Sequence, residues 1–219
     1  MIVPSDDVLL ALLDRHAPFA AAPLSPEISV FQGRSLVEVW EAAEKIAGEN
    51  LPAPFWAYPW AAGCGLARVV LDHPDEFRGK RVLDVGAGGG IVSIACAYAG
   101  ASSVTANDVD PWALAVTQLA AKRQSISLQF LEADLTDDIA AVEQFDVVLC
   151  SDMAYEKRMA PLYHALLLRA KNAGARVFVA DAGRTYFDGS GMKQIAEFTL
   201  NVPRDLEGVE VRTARVYEF

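Results

Sequence analysis

A doubly wound α/β sheet, mostly parallel and finished by an antiparallel hairpin, is the fold this sequence predicts, and three observations carry it. From Arg81 onward, short β-branched runs alternate with runs of helical period. The first of them, 81–85, empties into a glycine-rich turn that opens a helix, the layout of a nucleotide-binding half-unit. At the tail, the runs 195–202 and 209–219 are joined by ProArgAspLeuGluGly with no helix between them, which makes a hairpin.

Taken in order, residues 1–50 read as a helical extension or lid. Val8, Leu9, Leu12 and Leu13 have helical spacing, Pro18, Pro23 and Pro26 mark a link, and Leu36, Val39, Trp40 and Ala43 form a second apolar stripe that stops at Gly48. The main domain, 51–219, begins with an aromatic run holding Trp56, Tyr58 and Trp60. Prolines at 52, 54 and 59 break regular structure there and favour a loop over the ligand. Strands are expected at 81–85, 103–107, 127–132, 145–150 and 175–180, with helices at 90–99, 111–123, 137–143 and 159–171. Five parallel strands plus the hairpin give a seven-stranded, Rossmann-like sheet in a three-layer fold.

Composition narrows the function. The chain has 219 residues, 53% of them hydrophobic, enough for one substantial core without disulfide staples. Cys64, Cys96 and Cys150 are odd in number and widely spaced, so they read as reduced thiols of a cytoplasmic protein, and no metal-ligand spacing links them to a histidine. With 19 basic residues against 29 acidic ones the net charge is -10 and no basic run exists, so a nucleic-acid partner is excluded and a basic protein segment or small cation is favoured. No apolar stretch approaches the ~20 residues of a membrane span. Asp6 and Asp7 stand where a signal peptide would carry positive charge, and a monomer is expected.

The glycine loop selects the ligand. In the dinucleotide fingerprint GxGxxG the third glycine lets the helix pack on the strand beneath a pyrophosphate, but counting from Gly86 and Gly88 that position is Ile91. Asp84, inside the strand just before the turn, would repel a diphosphate yet could hold an ammonium, directly or through water. Asp108 ends the second strand, where a carboxylate can accept both ribose hydroxyls, while Asp110 before Pro111 suits a helix cap. Asp134 follows the third strand, placed to accept the adenine amino group, with Leu135 offering a backbone N–H. Adenosine, a positively charged amino-acid tail and no phosphate describe S-adenosylmethionine, with S-adenosylhomocysteine as product. Trp60, Val109 and Ser151 complete the expected cofactor-binding set with Asp84, Gly86, Gly88, Asp108, Asp134 and Leu135.

The segments ProPheTrpAlaTyrProTrpAlaAlaGly (54–63), AlaAsnAspValAspPro (106–111), AspMetAlaTyr (152–155) and AspAlaGlyArg (181–184), with the glycine loop, resemble the family-16 seven-strand class I methyltransferases. The likeness covers about 50–219 and is nearest to the lysine methyltransferases of the electron transfer flavoprotein β subunit, in a bacterial form. Ala182 stands where the pattern leads one to expect proline. The resemblance implies a protein-lysine N-methyltransferase. It carries Asp152 and Tyr155 over as the signature where methyl acceptor and cofactor meet.

That placement suits the chemistry, because methyl transfer from a sulfonium is an in-line displacement that depends on positioning a neutral amine and excluding water. A carboxylate can draw in and orient the lysine, and an aromatic ring can flank its stem or a methylated cation. Trp60 is expected against the cofactor and Trp56 against the acceptor channel. Asp181 and Arg184 are expected either as a rim ion pair at the substrate mouth or as a structural clamp. Sister activities on ribosomal proteins of the L11 or L7/L12 type, or on a small amine such as nicotinamide, use the same fold and loop.

Overall fold

The computed structural model describes residues 2–137 and 139–219. The chain opens with helix α1 (Asp6–His16), a hairpin of β1 (Phe19–Ala22) and β2 (Ser25–Phe31), and helix α2 (Leu36–Ala47). The hairpin occupies the stretch read above as a proline-rich link: two prolines flank a turn at Leu24, whose φ is +61°. The stop expected at Gly48 is real, with φ at +70° and its N–H bonded to Glu44 O, as a helix-ending glycine allows. At the other end of α2, the Ser35 hydroxyl accepts from the Glu38 N–H.

A 3-10 turn (Phe55–Ala57) then leads into helices α3 (Ala61–Asp72) and α4 (Pro74–Phe77). The expected loop over 54–63 is therefore only partly a loop. Its last three residues, 61–63, begin α3, and Gly63 and Gly65 are small enough to let that helix lie on its neighbours: a Cβ at Gly65 would fall 2.8 Å from Ala214 Cβ.

The remaining order is β3 (Arg81–Val85), α5 (Ile91–Tyr98), β4 (Ser103–Asp108), α6 (Pro111–Arg123), β5 (Gln129–Glu132), β6 (Val147–Ser151), α7 (Ala160–Asn172), β7 (Arg176–Asp181), β8 (Lys193–Asn201), α8 (Arg204–Glu207) and β9 (Val211–Glu218). The helix expected at 137–143 is a 3-10 segment, Ile139–Gln144, and the part of that expectation falling on residue 138 lies outside the described residues.

The seven strands run in the order β5-β4-β3-β6-β7-β9-β8. β3 to β7 are parallel, while β9 inserts antiparallel between β7 and β8. The strand order reverses between β3 and β6, so the glycine loop sits at the switch point where such sheets bind ligands. One face of the sheet is covered by α3, α5 and α6, whose Leu66, Ile94 and Val116 share a core with Leu9, Leu13, Ile28 and Val39 of the N-terminal elements. The other face packs Leu166, Leu167 and Ala170 of α7 over Leu83, Val148 and Val177.

The N-terminal elements are bonded to the sheet domain as well as packed on it. Arg68 of α3 donates to Leu24 O and Glu27, and Gln124 of the α6 cap pairs with the Ser29 backbone.

Candidate functional site

Three strand ends converge beside the glycine loop. Gly86, Gly88 and Gly90 have φ of 67°, 53° and 82°, values that an L side chain rarely adopts. Side chains are excluded for a second reason, since a Cβ at Gly86 would lie 2.5 Å from the Met153 sulfur and one at Gly90 2.5 Å from Thr117 Cγ2. Above the loop runs the backbone of the aromatic segment: a Cβ at Gly89 would meet Trp56 O at 2.6 Å.

Asp84 is buried beneath this loop and its Oδ2 accepts from the Ser93 hydroxyl at 2.6 Å. Burial pushes its carboxyl up to about 7, against the Ser93 bonds that lower it. A carboxyl whose folded value lies above its unfolded one favours the fold below the unfolded value and loses that contribution as pH rises through about 7. Asp84→Asn is therefore expected to stabilise the ligand-free protein at pH 8 and to give little change at pH 4. Thermal unfolding at the two pH values checks this, and an equal effect at both would contradict the burial assignment.

Asp108 closes β4 and holds the loop. Its Oδ2 accepts from the Gly88 N–H at 2.9 Å and its Oδ1 from the Asp110 N–H at 3.0 Å. An ionised carboxylate offers about four acceptor positions, so two remain for hydroxyl donors. Asp110 caps α6 through the Trp112 N–H at 2.9 Å, the division of labour expected from the proline that follows. Val109 between them is exposed. Asp134 lies beyond β5 with Oδ1 accepting both from the N–H and from the hydroxyl of Thr136, and the neighbouring Leu135 is buried. Ser151 ends β6, with its hydroxyl facing Gly63 on α3.

The signature after β6 is built differently from the sequence expectation. Asp152 is buried and has φ of +58°, an unusual value for a residue other than glycine and a mark of a constrained site. Its Oδ2 accepts from Ala62 N–H at the start of α3, and its Oδ1 accepts from Arg184 Nε at 2.6 Å. Arg184 also approaches Glu207 at 3.6 Å and lies over the Trp60 ring at 5.3 Å. Glu207, with a side chain fully excluded from solvent, accepts from Ala61 N–H at 3.2 Å and from Arg212 at 3.2 Å. Two acids and two arginines thus form one network around the N-terminus of α3, where negative charge is favourable.

Of the two expectations for Asp181 and Arg184, a rim ion pair or a structural clamp, the ion pair is absent among the described residues. Asp181 Oδ1 instead accepts the backbone N–H groups of Gly183 and Arg184, closing a tight turn that aims the arginine at Asp152.

Beside this network lies an aromatic row. Tyr155 and Phe55 are each 47% exposed with ring centroids 5.7 Å apart, and Phe55 meets Trp60 at 5.9 Å while Tyr58 meets it at 5.4 Å. The Trp60 indole N–H donates to Phe55 O, fixing the ring. Trp56 is not part of the row. It is buried, stacked 6.1 Å from Trp112, and cannot line an acceptor channel, because its size made it a core residue once the 3-10 turn had turned it inward.

Glu207, Arg212, Ser93, Met153 and Phe55 take part in the site without having been read from the sequence. An acid in a hairpin connection normally points to water, so nothing in the ProArgAspLeuGluGly string marked Glu207 as buried. Phe55 and Met153 lie inside the aromatic and AspMetAlaTyr segments, where nothing in residue type or spacing separates them from their neighbours. Among the described residues, no group of histidine, cysteine and acids could hold a metal ion.

Residues 69–174 match the family model described as ribosomal protein L11 methyltransferase (PrmA). The electron transfer flavoprotein β subunit lysine methyltransferase of Rattus norvegicus is 37% identical over 76% of this chain and 67% of its own length. A homologue of that enzyme from Caenorhabditis elegans is 29% identical over 100% of this chain and 99% of its own, so the likeness includes the N-terminal elements. Among solved structures, the magnesium protoporphyrin IX methyltransferase of Synechocystis PCC 6803 with bound S-adenosylmethionine superposes with a TM-score of 0.50, at 18% identity, over 70% of this chain and 77% of that one.

Proposed function

Because the chain belongs to the family of electron transfer flavoprotein β subunit lysine methyltransferases, we propose that it is an S-adenosylmethionine-dependent protein-lysine N-methyltransferase acting on that flavoprotein subunit. The observation that carries the reading is the convergence of Asp84, Asp108 and the positive-φ glycine loop beside the half-exposed rings of Tyr155 and Phe55. The residues present fit the cofactor: a glycine loop held at positive φ at the sheet's switch point, a buried acid under it, and a second carboxylate with acceptor positions to spare.

When bound, S-adenosylmethionine supplies an electrophilic methyl group on a sulfonium. Asp84 would hold the amino group of its amino-acid part, and Asp108 the ribose hydroxyls. Asp134 and the Leu135 backbone would take the adenine, with Gly86, Gly88, Val109, Ser151 and Trp60 completing the wall.

On the acceptor side, the chain has to present a neutral lysine amine and keep water out. Tyr155, Phe55 and Trp60 provide an apolar, π-rich mouth for an alkylammonium stem. Asp152, with both oxygens committed, positions that mouth: it holds α3 and Arg184 in place, and through Arg184 the Trp60 ring. The net charge of -10 favours a lysine-bearing protein over nucleic acid as partner. Three free, buried cysteines accord with a monomer in the reducing cytoplasm.

A second reading, methylation of a ribosomal protein of the L11 type, is favoured by the family model over 69–174. Both are tested in one reaction, in which purified flavoprotein β subunit and purified ribosomal protein compete for enzyme and tritiated cofactor. Label on lysines of the flavoprotein subunit is the expected outcome. Label on the ribosomal protein alone would replace the first reading by the second.

A further inference from the structure

The edge of the sheet beside the proposed cofactor is short and thinly held. β5 has four residues, stands at the edge paired with β4, and ends its ladder with Glu132 opposite Asp108. None of the four is buried. Two residues beyond that end comes Asp134, the acid placed to accept the adenine amino group. Its Oδ1 is engaged by Thr136, and its Oδ2 has no bond among the described residues. A carboxylate reads a base edge only from within hydrogen-bond reach, so the chain between the end of the ladder and this acid has to be fixed.

Asn107 fixes it. The residue is 3% exposed, and its Nδ2 donates to Leu131 O at 2.9 Å and to Ala133 O at 2.8 Å. Ala133 lies past the ladder and immediately before Asp134. A primary amide nitrogen carries two hydrogens, and both are spent here on alternate carbonyls of one chain segment. The Asn107 backbone is tied the other way, its carbonyl accepting from the Ala87 N–H of the glycine loop at 2.8 Å. Its chain neighbour Asp108 accepts from Gly88 N–H. One residue therefore links the glycine loop, the ribose acid and the turn that carries Asp134.

A side-chain bond to an edge strand can also serve stability alone. β5 has one of that kind at the first pair of its ladder, where the Thr105 hydroxyl donates to Gln129 Oε1 at 3.1 Å. Thr105 touches neither the glycine loop nor the turn at Asp134, which makes it the internal control.

We propose that Asn107 is a positioning residue for the adenine of the cofactor, its amide setting Asp134 where the exocyclic amino group is read. The inference rests on the cofactor reading above, and it is tested by binding without methyl transfer. Titration calorimetry compares S-adenosylhomocysteine with S-inosylhomocysteine, which has a carbonyl in place of the amino group. Wild type should prefer the adenosyl ligand by at least about 10-fold, the scale of one hydrogen bond to a charged acceptor. Asn107→Leu, close in volume and without donors, should bring the two affinities together, with the loss falling on the adenosyl ligand. Asn107→Ser removes the amide without placing an apolar group against the carbonyls. It covers the case in which the leucine variant does not fold, and the same collapse is expected. Thr105→Val should keep the wild-type preference.

An unchanged preference in both Asn107 variants, an equal loss for both ligands, or a collapse in Thr105→Val as well would overturn the inference and leave the cofactor reading standing. Wild type binding both ligands equally would remove the adenine role of Asp134 and that of Asn107 with it. Wild type binding neither would overturn the cofactor reading itself.

Discussion

Replacing Glu207 with alanine should lower the unfolding free energy by ~3–5 kcal/mol, the usual cost of removing one partner from a buried charge network. The side chain is fully excluded from solvent and serves two donors, the Ala61 N–H at 3.2 Å and Arg212 at 3.2 Å, with the Arg184 guanidinium a further charge at 3.6 Å. Alanine would leave one helix N-terminal N–H without its partner in the interior and remove the buried counter-charge of two partly buried guanidinium groups. Against a typical domain stability of about 5–15 kcal/mol that is a large fraction, and at 37 °C the variant should be partly unfolded. Glu207→Gln keeps the volume and can still accept from Ala61, so it should recover roughly 1 kcal/mol while leaving an amide facing a guanidinium. Urea unfolding monitored by tryptophan fluorescence measures both. A loss under about 1 kcal/mol for the alanine variant would mean that the network is screened like a surface pair.

Glu207 also shows where sequence reading stops. The sheet was legible because its signal is periodic and local: β-branched runs, glycine after the first strand, acids at the strand ends, and a hairpin with no room for a helix. Boundaries came within a residue or two, and α6 was read over its full span, Pro111 and Asp110 fixing its start. The arrangement around the glycine loop was legible for the same reason, since Asp84, Asp108 and the loop lie within 25 residues and their geometry follows from one β-α-β unit.

What was not legible depends on contacts between distant segments. Asp152 is joined to Ala62, 90 positions away, and Glu207 to Ala61, 146 positions away. Arg184 pairs with Asp152 and not with the nearby Asp181, whose Oδ1 accepts the Gly183 and Arg184 backbone N–H groups and closes the turn that aims the arginine away. Trp56 and Trp60, four residues apart in one aromatic run, end in different surroundings, one stacked on Trp112 in the core and the other at the rim under Arg184. Aromatic content cannot separate those two outcomes. The intervening 3-10 turn and the start of α3 do.

Asp152→Asn should reduce kcat/KM for methyl transfer by roughly 100-fold, the scale of displacing a substrate-positioning group by about 1 Å, with cofactor affinity little changed. Asparagine tolerates the +58° φ that alanine would strain, so the backbone of the loop should persist. What the amide cannot do is serve both of its donors as the carboxylate does. With one oxygen replaced by NH2, either the Ala62 N–H or the Arg184 Nε meets another donor, and the clamp on α3 and Trp60 loosens.

The pH profile separates a clamp from a base. A lysine amine with an ordinary value near ~10.4 makes kcat/KM rise with pH through the neutral range whichever group takes the proton. If Asp152 acts only by position, wild type and Asp152→Asn give curves of the same shape at different heights. A change of shape in the variant would make Asp152 the proton acceptor. The clamp further requires coupling with its partner: Arg184→Met leaves Asp152 buried with its charge uncompensated and should be about as damaging as Asp152→Asn. The double variant, in which neither charge is stranded, should be less impaired than the two losses added together, by a coupling of about 1–3 kcal/mol.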